Sequence, residues 1–419
     1  MHMEQPFFIS IFLDTRRIKD NQKYPVKLRV YQPKTKITKL YNTKFEYTIK
    51  EFESIWETTK PRKGNNTARL KLQAVQNSAN DVAGKLHYFS FEDFEKKFLR
   101  IAGDGENIFY QYGQVIETLK ENNQLGTASN YKMSLQSLKN FLIFTRGKEP
   151  AKLLFTEISA VWLNKYEKYM LNTLHRSSTT VSMYLRALRT VFNKAISEKE
   201  IEPEIYPFGK NRYQVPSVQN VKKALNKDQL KTLFNSVPQS PEQEKAKDFW
   251  FFSYGCNGMN IKDIALLRWE NMHEDKLIFY RAKTINTSKT HLKPITIYLT
   301  DHVKSVIEKY GSPKRSPKRL MFTILSDDQD EETKFARIKN FTRFINQNLK
   351  ILATSNGITG EISTYWARHS FATIAIRNGA TMEFVGESVG HSNVRTTQNY
   401  FAGFEDEDKR EFMKTMMNF

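Results

Sequence analysis

The spacing of apolar residues changes along this chain, and those changes limit its fold more than any other feature. Phe7-Phe8-Ile9-Ser10-Ile11-Phe12-Leu13 is an apolar run. Tyr24 to Tyr31 then alternates apolar and basic residues, and Thr35 to Tyr41 repeats the alternation, the period of β-strands. A helical stretch is expected from about 66 to 100, opened by the charged turn Lys60-Pro61-Arg62-Lys63-Gly64. From 107 to 200 the period becomes helical. Ile108, Tyr110, Val115 and Leu119 share one run; Thr127 is read as the cap of the next, with Tyr131, Leu135, Leu138 and Phe141. Ser178-Thr179-Thr180 opens a third, carrying Val181, Leu185, Leu188 and Phe192. Residues 201–224 place Pro203, Pro207, Gly209 and Pro216 among Lys210, Arg212, Lys222 and Lys223, which reads as a basic linker.

From Leu225 onward the pattern is mixed. Helices are expected over 226–237, 244–255 and 261–268, then strands over 276–282 and 294–299, then helices to the end. The acidic patch from Asp327 to Glu332 reads as a solvated loop. A chain of 419 residues exceeds one ordinary core, so two or three domains are expected.

Charge narrows the partners. Against 45 Asp+Glu stand 65 Lys+Arg, a net charge of +20 spread along the whole chain. That suits several domains facing a long polyanion, although ribosome-bound and membrane-surface proteins are basic too. Cys256 is the only cysteine, which excludes an intrachain disulfide and a cysteine-based zinc site. The N-terminus lacks a signal-peptide pattern, and no apolar run approaches the ~20 residues needed to cross a bilayer. A cytoplasmic protein with no membrane partner is expected, nucleoid-associated when bound to DNA.

The last quarter carries the chemistry. Arg368-His369-Ser370 is followed by Gly390-His391-Ser392 and by Thr396-Thr397-Gln398-Asn399-Tyr400. An arginine, a histidine and a tyrosine in this order suit attack of a phenolic oxygen on a phosphodiester. Any single tyrosine of the 19 is more often a core residue with a satisfied hydroxyl, and a histidine after glycine more often a turn residue. The surrounding motifs reverse those odds.

With these motifs the chain resembles the tyrosine recombinases of the phage integrase family, and among them the integrases of conjugative transposons. The Gly258-Met259-Asn260-x-x-Asp263 box and Tyr280-Arg281-Ala282-Lys283-Thr284 reinforce the likeness. It implies an α+β multidomain protein in three parts. Residues 1–104 would be an arm-type DNA-binding domain, a small β-sheet plus helix, and 105–205 a helical SAM-like core-binding domain. A basic linker over 206–224 would lead to a mixed, mainly α-helical catalytic domain over 225–419, with a C-terminal tail.

By the same resemblance Tyr400 would be the nucleophile, forming a 3′-phosphotyrosine. Arg368 would stabilise charge on the phosphate, since a guanidinium offers a planar fork of donors. His391 would bond the phosphate or assist the nucleophile. Lys283 would protonate the departing 5′-oxygen. His369 would be structural. No metal and no other cofactor is implied. Double-stranded DNA, at core and arm sites, would be the partner of a monomer that forms a homotetramer on synapsed DNA. A host DNA-bending factor and an excision protein are implied as further partners.

Two positions depart from the family pattern. Neutral Asn260 stands where the first arginine is usual, and Arg281, two residues before Lys283 on one strand face by period two, is the candidate to restore the charge. Tyr365 replaces the histidine of the His-x-x-Arg box; it can donate a hydrogen bond but accepts a proton poorly at neutral pH. Lys27, Arg29, Lys36 and Lys39 on the N-terminal sheet, Arg186 and Arg189 on the third helix of the bundle, and Lys210, Arg212, Lys222 and Lys223 in the linker are candidate DNA contacts. The expected function is integration and excision of a mobile element. A non-catalytic DNA-binding relative and a type IB topoisomerase are the alternatives.

Overall fold

A computed structural model describes residues 6–16, 18–19, 22–59, 62–100, 103–217, 224–285, 293–391, 393–404 and 406–416, apart from the side chains of 407 and 408. Two compact units divide it, residues 1–122 with 127–217, and 123–126 with 218–419.

The first unit opens with an antiparallel sheet of β1 (Phe8–Leu13), β2 (Tyr24–Gln32) and β3 (Ile37–Tyr47), in the order β1-β2-β3. Alternation buries Ile11, Leu13, Val26, Leu28, Val30 and Tyr41 on one face. After the short α1 (Ile49–Phe52), that face packs on α2 (Asn66–Lys85) and α3 (Phe91–Phe98) through Leu72, Ala79 and Phe94. The register corrects the expected four-residue basic face. Lys39 pairs with Val30 and therefore sits on the helix-facing side, where its Nζ meets Glu95 Oε1 at 2.8 Å. Lys36 lies in the turn at φ +55°. Only Lys27 and Arg29 of the four project from the open face, bonded to the neutral Asn42 and Ser10 side chains.

Helices α4 (Ile108–Glu121), α5 (Leu125–Arg146), α6 (Ala160–Lys168) and α7 (Ser178–Ser197) form a bundle around Tyr112, Phe141, Tyr166, Leu185 and Phe192. Ser177, one residue before the expected start, caps α7 by accepting from Thr180 N. Thr127 lies inside the first turn of α5 rather than at its cap. Arg186 and Arg189 are exposed on α7.

Residues 206–217, expected as linker, pack on the bundle. Phe208 and Tyr213 are buried against it, and the Tyr213 hydroxyl donates to Glu167 Oε2 at 2.7 Å. Proline and glycine suggested a free strap, but the aromatic side chains between them gain more by burial. Arg212 is spent on the carbonyls of Glu204 and Tyr206, whereas Lys210 is exposed. Lys222 and Lys223 lie outside the described residues. Where the sheet module meets the bundle, Glu200 takes both Arg100 guanidinium nitrogens and Lys97 Nζ, the latter at 2.9 Å.

The second unit begins with α8 (Lys227–Asn235), capped by Asn226, and α9 (Pro241–Gly255), whose Phe249, Trp250 and Phe252 centre its core. Then come α10 (Ile261–Leu266) and an antiparallel sheet of β4 (Met272–His273), β5 (Lys276–Phe279) and β6 (Ile295–Tyr298). α11 (Asp301–Tyr310) and the long α12 (Glu331–Ser355) pack on α9. The acidic patch is not wholly loop: Asp330 caps α12, and Glu331 and Glu332 form its first turn, where carboxylates offset the helix dipole.

The chain ends in α13 (Thr364–Arg377), α14 (Met382–Ser388), α15 (Val394–Gln398) and the exposed α16 (Asp406–Met416). Ala372, Ile376, Val385, Val389 and Tyr400 form a small cluster apart from the main core of this unit. No helix among the described residues is long and apolar enough to cross a membrane.

Candidate active site

α13 carries three of the expected residues at helical spacing. Tyr365, Arg368 and His369 fall on neighbouring positions of one face, with the Tyr365 and His369 rings 4.9 Å apart. Arg368 is 3% exposed. Its Nη1 donates to the Gly258 carbonyl at 3.1 Å and its Nη2 to the Val389 carbonyl, while Nε has no partner. The glycine of the Gly-Met-Asn box is there for room: it sits at φ +70°, and a Cβ on it would meet Arg368 Cα at 2.5 Å.

Tyr400 is buried, one turn beyond α15, and its backbone is tied to α13. Thr373 Oγ1 and His369 Nδ1 both donate to the Tyr400 carbonyl, at 3.2 and 3.3 Å. The His369 ring stacks on the Tyr400 ring at 4.5 Å, and the His391 ring lies 4.8 Å away. The Arg368 guanidinium carbon stands 5.6 Å from the Tyr400 ring centre. At the hydroxyl end, Tyr400 and Tyr365 share a hydrogen bond.

His391 follows a glycine for a comparable reason. Gly390 turns the chain at φ +69°, and a Cβ there would reach Ile295 Cδ1 at 2.5 Å. The His391 Nε2 lies 3.3 Å from Arg368 Nη2. An arginine can only donate, so Nε2 accepts and Nδ1 carries the proton, given to Thr397 Oγ1 at 3.1 Å. Burial, then the charges of Arg368, Arg281 and Lys283, push His391 down to about 3, so it is neutral at physiological pH. Burial and the Arg281 charge lower Arg368 to about 10, which leaves it charged. Burial raises Tyr365 well above the usual phenol range, helped by the bond to Tyr400.

Arg281 and Lys283 do not share a strand face. β5 ends at Phe279, and the chain then turns: Ala282 N donates to Asp263 Oδ1 at 2.9 Å, and the Thr284 and Ile285 amides fold back onto the Arg281 carbonyl. The turn sends Arg281 inward, 8% exposed, and leaves Lys283 outside. Arg281 Nη1 donates to the Gly390 carbonyl at 3.2 Å, and its buried Nε is also without a partner. Among the described residues neither arginine has a carboxylate within ion-pair distance. Asn260 stands at the N-cap of α10 without capping it; it bears on Asp263, whose carboxyl is raised by burial.

Arg281, Tyr365, Arg368, His391 and Tyr400 thus converge, Lys283 is near enough to bear on His391, and Asn260 reaches the group only through Asp263. Sequence reasoning left Asp263, Thr373 and Thr397 without roles. Asp263 had a signal, the sixth position of the Gly-Met-Asn box. Thr373 and Thr397 had none beyond lying inside the motifs.

Comparison with known proteins decides the family. The profile of the phage integrase SAM-like domain matches residues 107–215, and that of the phage integrase family matches 223–407. The chain belongs to the phage integrase family. It is a tyrosine recombinase, an enzyme that breaks and rejoins DNA at specific sites. The tyrosine recombinase XerC of Pediococcus pentosaceus is 23% identical over 70% of this chain and 91% of its own length. XerD of Listeria monocytogenes is 27% identical over 54% of this chain and 72% of its own length. The Tn1549 transposon integrase, solved with transposon right-end DNA, superposes with TM-score 0.51 at 12% identity, covering 74% of this chain and 99% of that one. The phage integrase profile spans every candidate from Asn260 to Tyr400, and the N-terminal sheet lies outside both profiles.

Proposed function

We propose that this recombinase integrates and excises a mobile genetic element, with Tyr400 as nucleophile and Arg281 in place of the family's first arginine. One observation carries the reading. Arg281 and Arg368 are both buried at this site, among the described residues without a carboxylate in ion-pair distance, and with an unmatched Nε on each. Two desolvated guanidinium groups are costly unless an anion completes them, and a phosphodiester supplies oxygens of the right charge and spacing.

The arrangement supports the following chemistry. The guanidinium groups take the nonbridging oxygens of the scissile phosphate. Tyr400 Oη attacks phosphorus, a Tyr–O–P bond forms and the bond to the 5′-oxygen breaks. Lys283, exposed at the mouth of the site, gives that oxygen its proton. His391 Nε2 is occupied by Arg368 in the resting site. Once Arg368 turns to the phosphate, Nε2 is free to take the Tyr400 proton. Reversal with a different 5′-hydroxyl rejoins the strand, and the phosphotyrosine conserves the bond energy, so no nucleotide is consumed.

Strand exchange between two duplexes requires four protomers on synapsed DNA, formed from monomers. In this reading the N-terminal sheet takes arm sites, the bundle and catalytic unit take core sites, and a host DNA-bending factor and an excision protein set direction. The exposed Phe412, Met413 and Met416 of α16 suit docking on a neighbouring protomer.

A nicked suicide substrate made from the element's ends tests the core of the proposal. The parent protein should become covalently attached through Tyr400. Tyr400→Phe, which loses only the attacking oxygen, should bind the same DNA and form no adduct. An undiminished adduct from Tyr400→Phe refutes the assignment.

A further inference from the structure

We infer that Tyr365, at the position where the family pattern has histidine, is the residue that positions the nucleophile by donating a hydrogen bond to Tyr400 Oη. The inference rests on Tyr400 being the nucleophile.

Either hydroxyl can donate, and the chemistry of attack selects the direction. Each phenol has one proton, and only one can lie between the two oxygens. Tyr365 stands at the rim, 45% exposed, and meets Tyr400 at its hydroxyl, whereas the buried Arg368 lies over the Tyr400 ring. In the arrangement that serves attack, Tyr365 donates and Tyr400 accepts. The Tyr400 proton is left free to depart, and a second lone pair is left free to attack.

Among the described residues the rest of the ring is held by packing. His369 stacks on it at 4.5 Å and the Arg368 guanidinium covers it at 5.6 Å. His391 touches the ring from α14's end, but its Nε2 is engaged with Arg368. Arg281 bonds the Gly390 carbonyl, and Lys283 is exposed beyond it. Among the described residues Tyr365 is the one hydrogen-bond partner of the Tyr400 hydroxyl. Stacking fixes the plane of a ring, yet a phenolic oxygen needs a polar partner to be aimed. A histidine here could alternate between donating and accepting. A tyrosine keeps a proton to donate throughout the neutral range.

The test is single-turnover cleavage of the nicked substrate by parent and Tyr365→Phe, from neutral to alkaline pH, alongside DNA affinity and thermal melting. Removing one half-exposed hydroxyl should leave melting and affinity unchanged. Cleavage at neutral pH should fall about 3- to 10-fold, the usual worth of one hydrogen bond. That deficit should shrink in alkaline solution, where solvent takes the Tyr400 proton and the donor matters less. Cleavage equal to the parent's at neutral pH overturns the inference, and so does a loss of the same size at every pH, which marks a merely structural residue. A parent protein that forms no adduct refutes instead the underlying reading of Tyr400.

Discussion

Gly258 and Arg368 touch backbone to backbone: a Cβ on the glycine would lie 2.5 Å from the arginine Cα and 2.7 Å from its Cβ. The arginine that faces the phosphate in our reading is thus seated on a residue more than a hundred positions upstream, whose carbonyl also accepts its Nη1. Gly258→Ala should cost about 1–3 kcal/mol in stability, the strain of a left-handed non-glycine residue, before any displacement of Arg368. Denaturant melts give the stability loss. Cleavage by the folded fraction should fall further than affinity for DNA.

In our reading Arg281→Ala removes a charge-assisted contact to the phosphate, so cleavage should lose ~2.7–4 kcal/mol, roughly a hundred- to a thousand-fold. Asn260→Ala, which removes a neutral neighbour of Asp263, should be milder. Arg281→Lys keeps the charge but loses the fork, and should fall between them. Cleavage that survives Arg281→Ala would leave the first arginine's role to another group.

His391 gives stability a defined pH dependence. Its ordinary value of 6.5 falls to about 3 in the folded protein. Between these the unfolded chain holds the extra proton, so the contribution is complete above the ordinary value and is lost as pH falls below it. Melting temperatures taken from roughly pH 7.5 to pH 5 should drop more steeply for the parent than for His391→Gln. Parallel curves would show that His391 titrates as it does in the unfolded chain.

On the N-terminal sheet, Lys27 and Arg29 bond neutral partners, whereas Lys39 is neutralised by Glu95. Replacing Lys27 and Arg29 together by Ala should flatten the dependence of log affinity on log salt for arm DNA by about 0.9 per lost phosphate contact. Lys39→Ala should change that slope less. Equal slopes for both variants would remove the sheet's open face as the DNA-contacting surface.

Much of this architecture was legible in the sequence because its signals are local. Alternation in Tyr24 to Tyr31 marked a strand, and the stripe from Val181 to Phe192 marked α7. Face and register were not, since they depend on pairing. Lys39 shares the period of Lys27 and Arg29 along the sequence, yet opposes Val30 and joins the other side. The convergence of Arg368, His391 and Tyr400 was anticipated from motifs, but the state of each group was not. A polar turn onto Asp263 separated Arg281 from Lys283, and period-two reasoning cannot foresee where a strand stops. The Tyr365–Tyr400 bond joins residues 35 apart, a relationship that only the tertiary fold reveals.

Tyr400 belongs to the small cluster formed with Ala372, Ile376, Val385 and Val389, not to the main core of its unit. Sub-global opening costs free energy in proportion to the buried contacts it breaks, so this smaller cluster should open more readily than the main core. Gly258 lies beside Met259, which belongs to the main core. In our reading the nucleophile therefore rests on the part of the unit with the less buried surface behind it, and the seat of Arg368 borders the larger core.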